Sequence, residues 1–452
     1  MNRVRQLLFV SFASCLVLCV GCGTRSSDPN NSESGPSGNV QDARVPDADM
    51  ESPELEGALV VRIAPGDDAQ RQAQEALITA QPGDTIEFEA GIFEFSGTLS
   101  LDGIDGITIR GKGLDQTILN FASQRKGTGG EGLLVKAHGF TIEDLTIQNT
   151  PGDAIKVTDS RDVVFRRVRT WWSDGASQSN GAYGIYPVMC DNVLIEHCVA
   201  EHASDAGIYV GQSRRAIVRR NRAERNVAGI EIENTIGADV YENDAIDNTG
   251  GILVFSLPGL QQKNGSQCRV FNNRLLNNNH VNFAQEGAMV ATVPPGTGLM
   301  IMANDQVEVF GNTIEKHKTT GIAVISFLAT QRKFEDPQYD PFPEEIDIHD
   351  NQISEAGYEP QGLFGEISKQ AGLMPMAEMV IDGLFNPEQT VNGTPIENPA
   401  IRFRDNGEAT FLNLGLASMF AGGSPTLSQD IGPFKGGYDA LPEISGQWAE
   451  KK

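Results

Sequence analysis

An all-β solenoid of stacked parallel strands is the fold class this sequence predicts, and three observations predict it. The phrase "AGIYV" at 206–210 returns as "AGIEI" at 228–232 and "GGILV" at 250–254. Aligned on Gly207, the position is held by Ala154, Gly184, Gly207, Gly229, Gly251, Gly298 and Gly321, at spacings of 30, 23, 22, 22, 47 and 23 residues. A near-fixed period in this range marks one short unit that buries its apolar face only by stacking on its copies. The spacing of 30 reads as one coil plus an insertion, and that of 47 as two coils plus a few residues. A second column, not used in the alignment, repeats in the same register: Leu145, Val168, Cys198, Asn221, Asn243, Asn273, Asn312 and Asn351. Asparagines stacked at a turn hydrogen-bond to their copies above and below, which satisfies buried amides along the axis. Finally, 49 Gly and only 21% charged residues suit strands and tight turns better than a helix bundle.

The elements follow in chain order. Arg3 and Arg5 precede the apolar run "LLFVSFASCLVLCV" (7–20). A bilayer span needs about 20 residues, so this shorter run reads as an export signal. It closes on "CVGC" (19–22), the pattern of a bacterial lipoprotein processing site. Residues 1–21 are therefore expected to be a lipoprotein signal peptide, with the lipid on Cys22 and membrane anchorage as the consequence. Gly23, in place of an inner-membrane retention Asp, favours the outer membrane. Residues 22–57 contain no aromatic side chain and read as a solvated, disordered tether. "PGDDAQRQAQEALITAQPGD" (65–84) predicts one short helix with Asp67 as its cap and Gln70 three residues on. Its Ala69, Ala73, Ala76, Leu77 and Ala80 share a face suited to covering the open end of a solenoid.

Strands then dominate, and residues 58–355 form the predicted repeat domain. Two places before the Asn column runs an outward column of Glu143, Arg166, Glu196, Arg219, Tyr241, Phe271, Phe310 and His349. Opposite charges on adjacent rungs attract, which supports this register. Leucine-rich repeats share the period but need a denser Leu pattern, and left-handed hexapeptide helices tolerate fewer insertions. A parallel β-helix remains. Residues 356–452 read as a C-terminal cap with late rungs at "MVIDGLF" (379–385) and "AIRFRDNG" (400–407).

Of six cysteines, Cys190, Cys198 and Cys268 fall in the repeat domain, too few for a disulfide framework. Cys198 is expected to be a small buried hydrophobe. The net charge of −25 opposes binding to nucleic acid. The arginines of "SRRAIVRRNRAERN" (213–226) are scattered by the repeat over different faces. The chain carries no HExxH, phosphate-binding Gly loop or GxSxG, and its CxxC, Cys19–Cys22, falls in the export segment.

The span 81–355 resembles the right-handed parallel β-helix superfamily, which includes pectate lyases, alginate lyases and mannuronan C5-epimerases. "NGAYGIYPV" (180–188), "SDAGIYVGQS" (204–213), "GGILVFSLPGL" (250–260) and "GTGLMIMANDQVEVFGNTI" (296–314) are similar to a group of exported bacterial β-helix lipoproteins of undefined function. The resemblance implies the fold, and a polysaccharide as the class of partner. The Asp-Pro-His-Asp run of the C5-epimerases is not found in this chain.

Strand alternation supplies the candidate site. Ile208 and Val210 face inward, so the outward column of the third strand is Lys156, Tyr186, Tyr209, Glu231, Leu253, Met300 and Ala323. Rungs about 4.8 Å apart approach the advance of one sugar unit. The insertion "WWSDGASQSN" (171–180) is expected to overhang this face with Trp171 and Trp172, giving exposed rings for stacking on sugars. For a uronate glycan, Lys156 or a bound Ca²⁺ would neutralise the sugar carboxylate. Asp205, Glu231 and Glu233 are the candidate calcium ligands and substrate contacts. Tyr186 and Tyr209 are the candidate acid–base pair. His197 aligns with Arg167 and Arg220 and reads as a ladder filler. The predicted protein is a monomeric, lipid-anchored envelope protein that binds, and processes as a lyase or epimerase, an anionic polysaccharide. The alternative is a non-catalytic scaffold or adhesin holding a protein partner.

Overall fold

In the computed structural model three parallel sheets wind about one axis, with each central coil of chain contributing a strand to each sheet. The structure describes residues 57–125, 130–391, 394–395 and 401–446. The export segment, Cys22 and nearly all of the tether lie outside the described residues. Sheet A contains Asp191–Glu196, Arg214–Arg219, Ile236–Tyr241, Ser266–Phe271 and Asp305–Phe310, and sheet B contains Val199–Glu201, Arg222–Glu224, Asp244–Ile246 and Arg274–Leu276. Sheet C carries the repeated phrase through Tyr183–Val188, Ala206–Gly211, Ala228–Glu233, Gly250–Phe255, Thr297–Met302 and Thr320–Ile325. Ile208 pairs with Ile230, Ile230 with Ile252 and Ile252 with Leu299, which is the register expected from the repeat. Inward side chains from all three sheets form one continuous core that includes Ile185, Ile208, Ile230, Val218, Val240 and Ala223. Each fully buried Ile or Val contributes about 1.5–3 kcal/mol of transfer free energy.

The spacing of 47 corresponds to one coil, not two. Gly250–Phe255 pairs directly with Thr297–Met302, so the surplus is insertion. It lies in segments 256–265 and 277–296, which leave and re-enter sheet C. The expected late strands are present as Met379–Ile381 and Ile401–Arg404, and Phe411–Asn413 adds one more to sheet C.

The corners explain the sequence period. At the A-to-B corner a residue with positive φ (Arg167 50°, His197 55°, Arg220 56°, Glu242 54°, Asn272 53°) precedes each ladder position. His197 is therefore a corner residue. Asn221, Asn243, Asn273, Asn312, Asn351 and Asn406 then pass a hydrogen bond from Nδ2 to the next Oδ1, at 2.9–3.0 Å. Cys198, one rung before Asn221 in this column, is a buried free thiol whose backbone N–H donates to Asn221 Oδ1. A second ladder stands at the B-to-C corner: Asn226 to Asn248 at 3.1 Å, Asn248 to Asn278 at 2.9 Å, then His317 at 3.1 Å. This ladder accounts for the recurring glycine. A Cβ on Gly207 would lie 2.6 Å from Asn226 Nδ2, and one on Gly229 would lie 2.6 Å from the Gly251 carbonyl.

Outward columns on sheet A follow the expected pairing. Arg166 and Arg219 both donate to Glu196, at 2.7 and 2.6 Å, and Tyr241, Phe271, Phe310 and His349 stack with centroids 4.8–5.2 Å apart. The helix Ala69–Thr79 buries Ala69, Ala73, Ala76 and Leu77 at the N-terminal end of the core. Its N-cap is Asp68 rather than Asp67, and no side chain caps it. Gln70 instead accepts from the Ser96 backbone, tying the helix to the first coils. At the other end the chain returns along sheet A. The backbone N–H groups of Tyr438, Leu441 and Ile444 donate to Asp347, Glu308 and Asp239, each at 3.1 Å.

Candidate functional site

The outward column of sheet C is built as predicted, since Lys156 pairs with Tyr186, Tyr209 with Glu231, Glu231 with Leu253 and Leu253 with Met300. Its exposure is not as predicted. Tyr209 is 3% exposed, Glu231 1% and Leu253 0%. The two insertions of the 47-residue coil and the segment after Ile325 bring Phe283, Val290, Val293, Phe327 and Tyr339 into one apolar cluster with Tyr209, Leu253, Phe255, Met300 and Met302. Only the end of the face around Lys156, Tyr183, Tyr186 and Asp205 stays partly open.

The tryptophans do not line this face. Trp172 is 4% exposed, belongs to the interior core, and donates from Nε1 to the Thr150 carbonyl at 2.7 Å. Trp171 ends a strand of sheet B, pairs with Glu201, and lies under Arg169 at 4.3 Å. Adjacent aromatic residues on an extended chain point to opposite sides, which is why one doublet cannot overhang a groove. Tyr183, one residue before the repeating glycine, takes the place expected for them. Its ring lies 4.4 Å from Tyr186 and 4.7 Å from Tyr209, and Tyr186 meets Tyr209 edge-on at 4.8 Å. The doublet "AY" before "GIY" was the available signal for this residue.

Around this tyrosine cluster sit four carboxyls and one amine. Lys156 Nζ lies 5.0 Å over the Tyr186 ring and 4.0 Å from Asp153. Burial pushes Asp153 up to about 6 against the pull of Lys156. The Tyr183 hydroxyl donates to Asp205 Oδ2 at 3.4 Å. Burial, with Glu233 nearby, pushes Asp205 up to about 7. Burial likewise raises Glu233 to about 7, and the Tyr209 hydroxyl bonded to it pulls the other way. Glu231 is raised well above the carboxylate range by burial and by the fields of Asp205 and Glu233. The phenols of Tyr183, Tyr186 and Tyr209 are raised too, first by burial and then by these carboxyls. Glycine makes the Tyr209–Glu233 contact possible. Gly211 pairs with Glu233, and a Cβ there would lie 2.1 Å from the Tyr209 hydroxyl.

Asp205, Glu231 and Glu233 therefore share one face, and burial raises all three above the ordinary carboxylate range, which weakens them as cation ligands. Among the described residues, the one set of three ligand atoms within 4.8 Å of one another is elsewhere, at Glu308, Asp347 and His349. A polar cleft of about 640 Å³ lies between the 171–180 insertion and the 277–296 insertion, lined by Ser177, Gln178, Ser179, Gln285 and Glu286.

Stacked coils, three parallel sheets and laddered corners define the class: a parallel β-helix. Residues 131–331 match the family model described as a right handed beta helix region, and the fold is the right-handed form. No curated protein matches the chain by sequence. Solved structures similar to it include an alginate lyase from Paenibacillus sp. str. FPU-7, at 16% identity over 67% of this chain and 98% of that one, TM-score 0.45. The A-module of a mannuronan C-5 epimerase from Azotobacter vinelandii is similar at 15% identity over 77% and 93%, TM-score 0.42. The catalytic unit of an α-1,3-glucanase from Streptomyces thermodiastaticus strain HF3-3 is similar at 17% identity over 74% and 51%, TM-score 0.45.

Proposed function

We propose that the open end of the sheet C face binds a uronate-containing polysaccharide and cleaves it by β-elimination. The observation that supports this most is Asp205, a carboxyl poised near neutral pH beside phenols held protonated, with Lys156 on the same column. Lys156 neutralises the sugar carboxylate, which acidifies the C5 proton. Ionised Asp205 takes that proton, the C4–O bond breaks as the C4=C5 bond forms, and the Tyr186 phenol protonates the departing oxygen. Tyr209 and Glu233 hold the tyrosine cluster from behind. A base near its midpoint at operating pH balances ionised fraction against proton affinity. Re-protonation at C5 without cleavage would give epimerisation from the same groups.

The test is a screen on alginate, pectate and related polymers, with and without Ca²⁺, read by the ultraviolet absorbance of unsaturated ends. Asp205→Asn and Tyr186→Phe are each expected to lower turnover about 10²–10⁴-fold. Activity should rise with pH through about 7, the limb belonging to Asp205 and Glu233 together. Absence of turnover with retained glycan binding in gels would replace the enzyme by a binding module. Loss of both would favour a protein-binding scaffold. We also propose anchorage through a lipid on Cys22, at the outer membrane. Labelled fatty acid should enter the wild-type protein and not Cys22→Ser, and equal labelling would refute it.

A further inference from the structure

A second cluster lies on another face of the solenoid, on sheet A near the C-terminal end. Glu308 and Asp347 are direct partners on neighbouring strands, and His349 is two residues beyond Asp347 on the same side. One ligand atom from each lies within 4.8 Å of the other two, and all three residues are buried. His349 is oriented from both sides. Its Nδ1 meets Asp350 Oδ2 at 2.7 Å, and its ring stacks on Phe310 at 5.2 Å with planes 2° apart. With the proton on Nδ1, Nε2 is directed at Glu308 Oε1, 3.2 Å away. A carboxylate behind the imidazole of a metal ligand fixes the tautomer and raises its basicity in this way.

A further observation points to a ligand. Asp347 is 3% exposed, and its Oδ1 is buried with no hydrogen-bond partner, whereas its Oδ2 is taken by Arg404 and the Tyr438 backbone. Arg404 pairs with Asp347 and Asp350, and Arg402 and Arg269 stand beside Asp347 and Glu308 on the adjoining strands. The neighbouring Arg269 is already paired with Asp239, at 2.5 and 2.8 Å. The Glu308 oxygen not facing His349 accepts from the Leu441 backbone at 3.1 Å, an outer contact that orients the carboxylate.

We propose that Glu308, Asp347 and His349 form a binding site for a first-row divalent cation, Zn²⁺ in preference to Ca²⁺. Small rotations bring the three atoms onto one ion at about 2.0–2.2 Å. One imidazole and two carboxylates favour zinc, then manganese, over the all-oxygen shell that calcium takes. The ion would also fasten the C-terminal return, because the same two carboxylates hold Tyr438 and Leu441. The rival is a bare ion pair with His349 protonated.

The experiment is equilibrium dialysis and thermal melting of the full chain after chelator treatment, with Zn²⁺, Mn²⁺ or Ca²⁺ added at pH 7.5. One Zn²⁺ per chain and a higher melting temperature are expected, with weaker Mn²⁺ binding and no response to Ca²⁺. His349→Ala should abolish the zinc response. Asp350→Asn, an exposed change that leaves the core alone, should weaken binding by about 10–100-fold. No stoichiometric Zn²⁺ on the wild type, or zinc bound equally by both variants, overturns the site. So does a melting temperature that ignores zinc.

Discussion

At the scale of single residues, burial reverses one consequence of the strand register. Tyr209 faces outward, yet insertions cover it, so it behaves energetically as a core residue. Tyr209→Ala is expected to cost about 3–5 kcal/mol and Ile208→Ala about 2–5 kcal/mol by urea unfolding, from opposite sides of one strand. A Tyr209 variant that melts like wild type would mean the insertions do not pack on sheet C. Glu231 gives a second prediction, from its proton. Its folded pKa lies well above the unfolded value, so the native state binds more protons and stability falls as pH rises from about 4. Glu231→Gln mimics the protonated side chain. It should melt higher than wild type at pH 7.5 and converge with it near pH 4. A constant difference across that range would show that Glu231 is ionised in the fold.

Among the elements, the ladders carry the specification of the coil. Asn248 donates to the Ala223 carbonyl at 2.9 Å and to Asn278, while its Oδ1 accepts from Asn226. Asn248→Ala orphans these buried groups and should cost about 1–3 kcal/mol, measured by denaturant midpoint at constant m. A smaller loss is expected from Asn279, which stands outside the ladder and is only half-buried. The first ladder was legible because its asparagines stand alone between two strands of ordinary composition. In the second, Asn226 and Asn248 lie two residues before the glycine phrase and were hidden by it, and Asn278 is parted from its phrase by the 277–296 insertion. Strand register was readable because alternation leaves only two choices, in or out. Exposure was not readable, because the loops that cover sheet C come from 256–265, 277–296 and the chain beyond 325. The spacing of 47 disguised the first two as an extra coil. Lys156, Tyr186, Asp205 and Glu233 do converge, since they follow from register alone. Trp171 and Trp172 do not, since a loop's direction is not periodic.

For the whole molecule, each coil touches only the coils next to it, so stability is close to a sum of neighbour terms and opening starts at the ends. The N-terminal end is closed by the helix Ala69–Thr79. The C-terminal end differs, because the returning chain bonds to Asp347, Glu308 and Asp239 and so bypasses the coil of Arg269. Stopping the chain after Gly437 removes those three bonds. Amide hydrogens of Asp305–Phe310 and Ile346–His349 should then exchange faster by roughly 10-fold or more, while Asp191–Glu196 keeps its protection. Uniform loss along the chain would mean that the coils already open together. A link that skips a neighbour turns a row of dominoes into a tied bundle at one end: the last coils cannot peel off singly and must leave as a group. Under a pulling load the solenoid would therefore unwind with a polarity, giving way first at the helix-capped end and holding its four strapped coils until last.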